Sequence, residues 1–583
     1  MPIFHLLLFA TVGWLLGNLI IGFVDPRDKL TRGEKFICSL VAGFVVLVFL
    51  SLAFALISGN LLLGAYLAIA ISAIVLIGFR PKFHSTVSLR EIFKVSNLAV
   101  ALIFLLFLGV LFQILVWDTS GFPQATLKGW GDIAYHLDMV GRIAHADPFV
   151  LDQPIANGEP LTYPVFINFF SGLLLRFGLP LSFAWYIPSV LLASTMFFLL
   201  YFVGKRILHS KSLAAIMLFL VLVGGGLGFV WFFGDVSHAF QDRGVEGIWN
   251  VITNPPHEYT HLDTRTGGKS QGADVPLNIV WIAPVISFFT HQRSFVVGVS
   301  ILFFVLLGWL IYDQSAELPE RKIFMRWLPF LGFIPLSHSH TALSAAILFG
   351  ILFLQKLFSD RRNMKTWIVG ALMAAAIAAP QLIHLSVAGF AGKSVGGDFF
   401  KPWLGWMTCT HHSSWLSCDP GVAGTDSNIL WFWTKNFGII FWGWFLALVY
   451  FLFKKPEVKN IKLLTAPSIA LFLIPNLFLI QPWEFDNNKV LLYWWILAIL
   501  ILLAAIRQIF SNVSKKYLVT ILAGVVIIGG LAGFIDSFFR VQQTYASLAG
   551  RPVKNHAGFY GAEELKAADW IIGNTDPNDG FLS

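Results

Sequence analysis

LTYPVFINFFSGLLLRFG, residues 161–178, is the stretch on which the topology of this chain turns. It is apolar enough to pass for a membrane span. Counted as one, it would invert every loop that follows it. Tyr163-Pro164 at its start, Asn168 inside it and Arg176 near its end suit an interfacial or re-entrant helix on the outer surface better. With that stretch set aside, the apolar runs of about 20 residues that a bilayer requires fall near 3–24, 37–58, 61–79, 97–117, 182–204, 212–234, 294–313, 327–342, 343–358, 365–387, 430–453, 463–481, 489–507 and 517–537. The expectation is an all-α polytopic membrane protein with about fourteen spans (range 12–15) and interfacial helices in its outer loops.

Composition points the same way. Of 583 residues, 57% are hydrophobic and 12% are charged, about half the charged share of soluble proteins, roughly 25%. The apolar runs are unbroken rather than alternating, which argues against a barrel. A net charge of +8 would suggest nucleic acid in a soluble chain. Here the basic residues gather instead in short turns, and no nucleic-acid partner is expected. The turns hold Arg27/Lys29/Arg32/Lys35, Arg80/Lys82/Arg90/Lys94, Lys205/Arg206/Lys211, Arg321/Lys322/Arg326, Lys356/Arg361/Arg362/Lys365, Lys454/Lys455/Lys459/Lys462 and Arg507/Lys515/Lys516, well over half of the 40 Lys and Arg. They alternate with longer loops rich in Trp, His, Asp, Gly and Pro. The positive-inside rule puts the basic turns in the cytoplasm, and the long loops and both termini outside. The first run lacks a charged leader and a cleavage site and reads as a retained helix.

Three regions follow: N-terminal spans 1–96, a core 97–540 with the outer loop 118–181, and an outer tail 541–583. Within the tail, GAEELKAADWIIGNTDPNDG (561–580) reads as a helix and a stop that could open a further soluble domain. Cys38 sits in an apolar helix and reads as packing. Cys409 and Cys418 share one outer loop, and either a disulfide or a Cys/His metal site fits them.

Polar residues collect in knots at the outer helix ends: Asp132–Tyr135–His136–Asp138, His291–Gln292–Arg293, His338–Ser339–His340–Thr341, His384 with Lys393, and QPWEFDNNK at 481–489. Ionisable groups at a bilayer are costly and are site candidates by default. Each knot has a plainer reading: Asp132 or Asp486 as a helix cap, Arg293 as a headgroup anchor, His338 and His340 as hydrogen-bonded helix-end residues. Their common side favours function. No H-E-x-x-H, paired C-x-x-C or EF-hand loop occurs, so no metal ligands are assigned and no cofactor is expected, although a divalent metal is compatible with the His and Asp present. No Walker loop occurs, and GGGLGF (224–229) reads as close helix packing.

The order G-D-x-x-Y-H (131–136), Y-P-x-x-x-N (163–168), LLLRFG (173–178), then a helix ending FVGKRIL (202–208) resembles the glycosyltransferase superfamily C (GT-C), membrane enzymes that use polyprenyl-phosphate sugars. The resemblance implies that Asp132 falls at the acidic catalytic position. It departs from the family in three extra N-terminal helices, in a lone acid rather than a paired Asp-Glu, and in lacking W-W-D-Y-G. Physical reasoning completes the expectation. A lipid-anchored donor needs a polar site at headgroup depth, a base for the acceptor hydroxyl and groups to hold the departing phosphate. Asp132 is the expected base. Arg293 and Lys489 are the expected phosphate ligands, and Tyr135, His136, His291, His338 and His340 help bind substrate. Trp483 and Asp486 contact sugar. The expected partners are a polyprenyl-phosphate-linked sugar, membrane lipids and an acceptor glycan, lipid or protein, at the outer face of the plasma membrane. A transporter or flippase, a membrane metallohydrolase and an envelope scaffold are the rival readings. The transporter is disfavoured because the polar groups keep to one rim and no internal repeat occurs.

Overall fold

The computed structural model describes residues 2–79, 98–117, 122–127, 130–262, 278–391, 400–408, 412–414, 417–418, 428–481, 483–554, 556–559 and 561–575. Lys393 and Cys409 lie outside these. Eleven of the described helices are long and apolar enough to cross a membrane, and the chain is an all-α polytopic membrane protein.

Three helices lead: α1 (Pro2–Val24), α2 (Arg32–Ser58) and α3 (Leu61–Phe79). Thr31 and Glu34 start α2 with a reciprocal capping box. Gly59, at φ 63°, ends it in the left-handed conformation that costs glycine least. α4 (Leu98–Phe112) stops short of the expected 117 because residues 115–117 leave the helix as a strand. That strand pairs antiparallel with Pro123–Thr126, which pairs in turn with His556–Gly558, so the tail folds back onto the loop after α4. Next come α5 (Trp130–His145), α6 (Phe166–Arg176), α7 (Leu181–Leu208), α8 (Lys211–Val223) and α9 (Phe229–Thr253). α6, the deciding stretch, has 11 residues. At 1.5 Å per residue it is about 16 Å long, too short to span. It does not lie on the surface as expected: residues Phe166–Leu174 are all buried, packed between α5, α7 and α2. α8 ends at Val223, well before the expected 234, at the run Gly224–Gly226. A Cβ on Gly226 would sit 1.7 Å from the Lys435 carbonyl oxygen, so the triplet is a point of close packing, as read from the sequence.

The remaining helices are α10 (Arg293–Gly308), α11 (Ser339–Ser359), α12 (Met364–Ala391), α13 (Ile429–Phe453), α14 (Lys459–Leu477), α15 (Asn488–Ile509), α16 (Lys515–Leu548) and α17 (Ala562–Asn574). Between α10 and α11 the structure corrects the sequence reading. The span expected at 327–342 is not an α-helix. A π turn (Trp309–Asp313) and two 3-10 segments (Lys322–Arg326, Leu328–Phe333) run there instead. Pro329, Gly332 and Pro335 deny it a regular register. It is tolerable at membrane depth because protein covers it: Leu336 N–H donates to Gln381 Oε1 at 3.1 Å and the Trp327 indole to the Val24 carbonyl at 2.8 Å.

α10 is buried along its whole length and α15 along nearly all of it, so these two are the central helices, wrapped by the rest. The basic turns meet at one end of the bundle. Arg206 donates to Glu34 at 2.6 Å, Arg326 to the Phe23 carbonyl at 2.7 Å and Arg321 to Asp360 at 2.5 Å. α5 lies at the other end: Phe149, just beyond it, donates its N–H to the Gly59 carbonyl at 2.7 Å. That contact is one length of α2 away, about 40 Å at 1.5 Å per residue.

Candidate active site

α5 is amphipathic. Ile133, Leu137, Val140 and Ala144 recur at helical spacing and are buried. The same helix carries Asp132 in its first turn and His136 one turn on. Asp132 is exposed to water on one side. Protein surrounds it on the others, and this burial pushes its carboxyl above the ordinary range; Lys489 pulls it back and Asp486 pushes it up again. Those two residues arrive at the head of α15 as an ion pair, Lys489 Nζ to Asp486 Oδ2 at 2.8 Å. Asp486 is therefore not the helix cap; Asn487 holds that position.

Behind Asp132 the groups are dry. His136 is 2% exposed, and burial first, with Arg293 and Lys489 adding to it, depresses its imidazole to about 3. Its ring meets the Tyr163 ring edge-on at 5.5 Å. Tyr163 packs edge-on against Tyr135 at 5.7 Å and hydrogen-bonds Ser294; its phenol is pushed up by burial and by Asp132. The Tyr135 hydroxyl donates to Gln153 Oε1 at 2.7 Å. On α11, His338 caps its own helix: Nδ1 accepts the Thr341 N–H at 3.2 Å and lies 2.7 Å from Thr341 Oγ1. His340 Nε2 lies 2.5 Å from Gln481 Oε1. The field of Lys489 reaches both histidines.

The structure thus brings Asp132, Tyr135, His136, His338, His340, Asp486 and Lys489 into one neighbourhood. Three expected residues do not line the open cleft. Arg293 is 2% exposed and does not offer its guanidinium to the open cleft. Nε donates to Ser189 Oγ at 3.0 Å. Nη2 donates to Ser171 Oγ at 2.6 Å and to the Trp185 carbonyl at 3.0 Å, and Nη1 to Asn168 Oδ1 at 3.4 Å, over the Trp185 ring at 3.7 Å. It bolts α6, α7 and α10 together, which corrects its expected role as a direct phosphate ligand. His291 spends Nε2 on Thr126 Oγ1 at 2.9 Å and Nδ1 on the Ile286 carbonyl, so it staples a strand to a turn rather than lining the cleft. Trp483 is 73% exposed and stands clear.

Sequence reasoning assigned no role to Tyr163, Asn168 or Gln481, which the structure adds. The first two belong to the Y-P-x-x-x-N stretch, so a signal was present. Among the described residues no three of His, Cys, Asp and Glu converge closely enough to hold a metal. Beside the site an apolar groove of about 760 Å³ runs between α11, α12 and the 3-10 segment. Ala345, Ala346, Ala374 and Ala375 line it. Pro335 and Ala342, which flank the His338/His340 pair in the chain, also line it.

No family model matches the chain, and no curated protein does. Among solved structures it is similar to the archaeal oligosaccharyltransferase AglB from Archaeoglobus fulgidus, in complex with an inhibitory peptide and a dolichol-phosphate. That similarity has 12% identity and a TM-score of 0.46 over 84% of this chain, which spans 59% of that one.

Proposed function

We propose that the chain is an inverting membrane glycosyltransferase that moves a sugar from a polyprenyl-phosphate carrier to an acceptor hydroxyl, with Asp132 as general base. One observation carries the reading. A water-open carboxylate lies at the end of the bundle opposite the basic turns, in the field of the same lysine that reaches His338 and His340, and the chain on either side of that histidine pair lines an apolar groove. An isoprenoid chain suits the groove, and its phosphate would stop at the polar rim. The positive-inside rule supports assigning this rim to the extracytoplasmic side of the plasma membrane.

The chemistry needs little more. As the acceptor hydroxyl attacks C1, the bond from C1 to the phosphate oxygen breaks and the phosphate keeps the electron pair. Asp132 takes the hydroxyl proton. A carboxylate held above its usual range is the stronger base. Phosphate needs no acid to leave, so one carboxylate is sufficient. Lys489, paired with Asp486 and acting on Asp132, is the cation we assign to the departing phosphate. Tyr135, His338, His340 and Asp486 are the polar groups left to meet sugar and acceptor. The test is product formation by purified protein in detergent, with a polyprenyl-phosphate sugar and a panel of hydroxyl acceptors. With no compartments present, transfer supports the enzyme and its absence across the panel favours a transporter.

A further inference from the structure

We propose that His136 is a fixed, uncharged hydrogen-bond donor, held in its Nε2–H form by Asn168 and Arg293, and that it offers this N–H to an anionic phosphate oxygen. The nature of that acceptor rests on the lipid-phosphate reading above; the tautomer does not.

The argument begins at the guanidinium. Arginine has only donors. Arg293 Nη1 faces Asn168 at 3.4 Å, so the atom it faces must be the amide oxygen. This fixes which way the Asn168 amide points, a choice that heavy-atom positions alone leave open. The NH2 group then faces His136 Nδ1 at 2.9 Å, with the Met139 sulfur at 3.5 Å as its second acceptor. A nitrogen that accepts carries no proton, so in the neutral ring the proton sits on Nε2. Nε2 has no hydrogen-bond partner among the described residues, and His136 is 2% exposed. Nε2 is nevertheless not fully enclosed, so a ligand that enters the cleft can take its N–H.

An uncharged donor suits this position. His136 is four residues from Asp132 on one helix face, where a cation would pair with the carboxylate. An imidazolium there would neutralise the base. Protonation is opposed by burial, by Arg293 from α10 and by Lys489 from α15, while Asp132 lies one turn away on the same helix and Tyr163, whose ring meets the imidazole edge-on, is neutral. Burial and the two cations prevail, since the ring is depressed to about 3.

The experiment uses the full chain in nanodiscs, with farnesyl phosphate as the probe. In protein carrying 15N-labelled histidine, the His136 ring is expected to show the Nε2–H form from pH 5 to pH 8, unchanged by titration. An imidazolium or an Nδ1–H ring in that range overturns the proposal. Removing a donor to a charged group should weaken farnesyl phosphate binding about tenfold to a hundredfold in His136→Phe. His136→Gln, whose amide can stand in for Nε2–H, should recover most of that loss. Asn168→Asp places an acceptor against Nδ1, so the ring should charge near neutral pH and binding should become tighter on acidification. Wild-type affinity in a His136→Phe protein of unchanged thermal midpoint overturns the ligand part. If the wild type itself binds no farnesyl phosphate, the lipid-phosphate reading and the ligand part fall together, and the histidine spectrum still decides the tautomer.

Discussion

The two ends of the bundle differ in one respect: the end that holds Asp132 has ion pairs of its own, Lys489–Asp486 and Arg540–Glu258, but also a buried cation with no anionic partner among the described residues. At the basic end most buried charges meet their opposite, Asp25 excepted, which accepts from backbone N–H groups and the Tyr312 hydroxyl. Lys356 reaches Asp313 at 2.7 Å with the Trp367 indole donating to the same carboxylate at 2.9 Å, Arg206 forks onto Glu34, and Lys29 pairs with Glu320. At the other end Arg293 meets only neutral partners among the described residues, and Asp132 stands open to water without a hydrogen-bonded cation. Closed ion pairs hold helices in place. An unmatched cation behind an open carboxylate keeps an electrostatic field in a cleft, where a substrate can use it.

That contrast is easiest to break at the closed end. Asp313→Ala leaves Lys356 buried and alone, and stability should fall by about 3–5 kcal/mol. Thermal unfolding checks it, and transfer per folded molecule should stay near wild type. At the open end, Arg293→Lys loses the fork that spans Ser171, Ser189 and Asn168. A loss of about 2 kcal/mol is expected. Here the donor affinity should fall as well, because Asn168 is no longer held. A stability loss with unchanged affinity would make Arg293 purely structural.

The pH dependence sharpens the same point. Asp132 must be ionised to act as base, so transfer is present above its pKa and is lost as pH falls through it. Because that pKa is raised, the acid limb should lie above that of an ordinary aspartate. Lys489 lowers it. Lys489→Met should therefore move the limb to higher pH, and Asp486→Asn, by removing a like charge, to lower pH. Rate profiles of the three proteins decide this. The smallest effect belongs to Trp483→Ala. The side chain stands clear of the cleft, and stability should change by less than about 0.5 kcal/mol. A large loss of transfer would restore its expected contact with sugar.

Much of this was legible in the chain itself. Uniformly apolar runs of span length announced the long helices, and Asn168 with Arg176 told against a span at 161–178. Other features were hidden because apolar composition does not report hydrogen-bond register. The π and 3-10 path from Trp309 to Phe333 and the early stops of α4 and α8 look like ordinary spans. Asp132, His136 and Lys489 announced themselves as charged or titratable residues beside helix ends. Arg293 and His291 did so equally, and the structure spends both on distant partners, Ser171, Ser189 and Thr126. Local sequence carries no record of which remote helix supplies a partner, so spent and available groups look alike until the fold is known.

The central claim is that the open carboxylate does the chemistry, and Asp132→Asn tests it most directly. The measurement is transfer from a polyprenyl-phosphate sugar by purified wild type and variant in detergent, alongside farnesyl phosphate affinity and thermal midpoint. The account predicts a loss of about a hundredfold or more in rate, with fold and affinity retained. Near-normal turnover in the variant would contradict it.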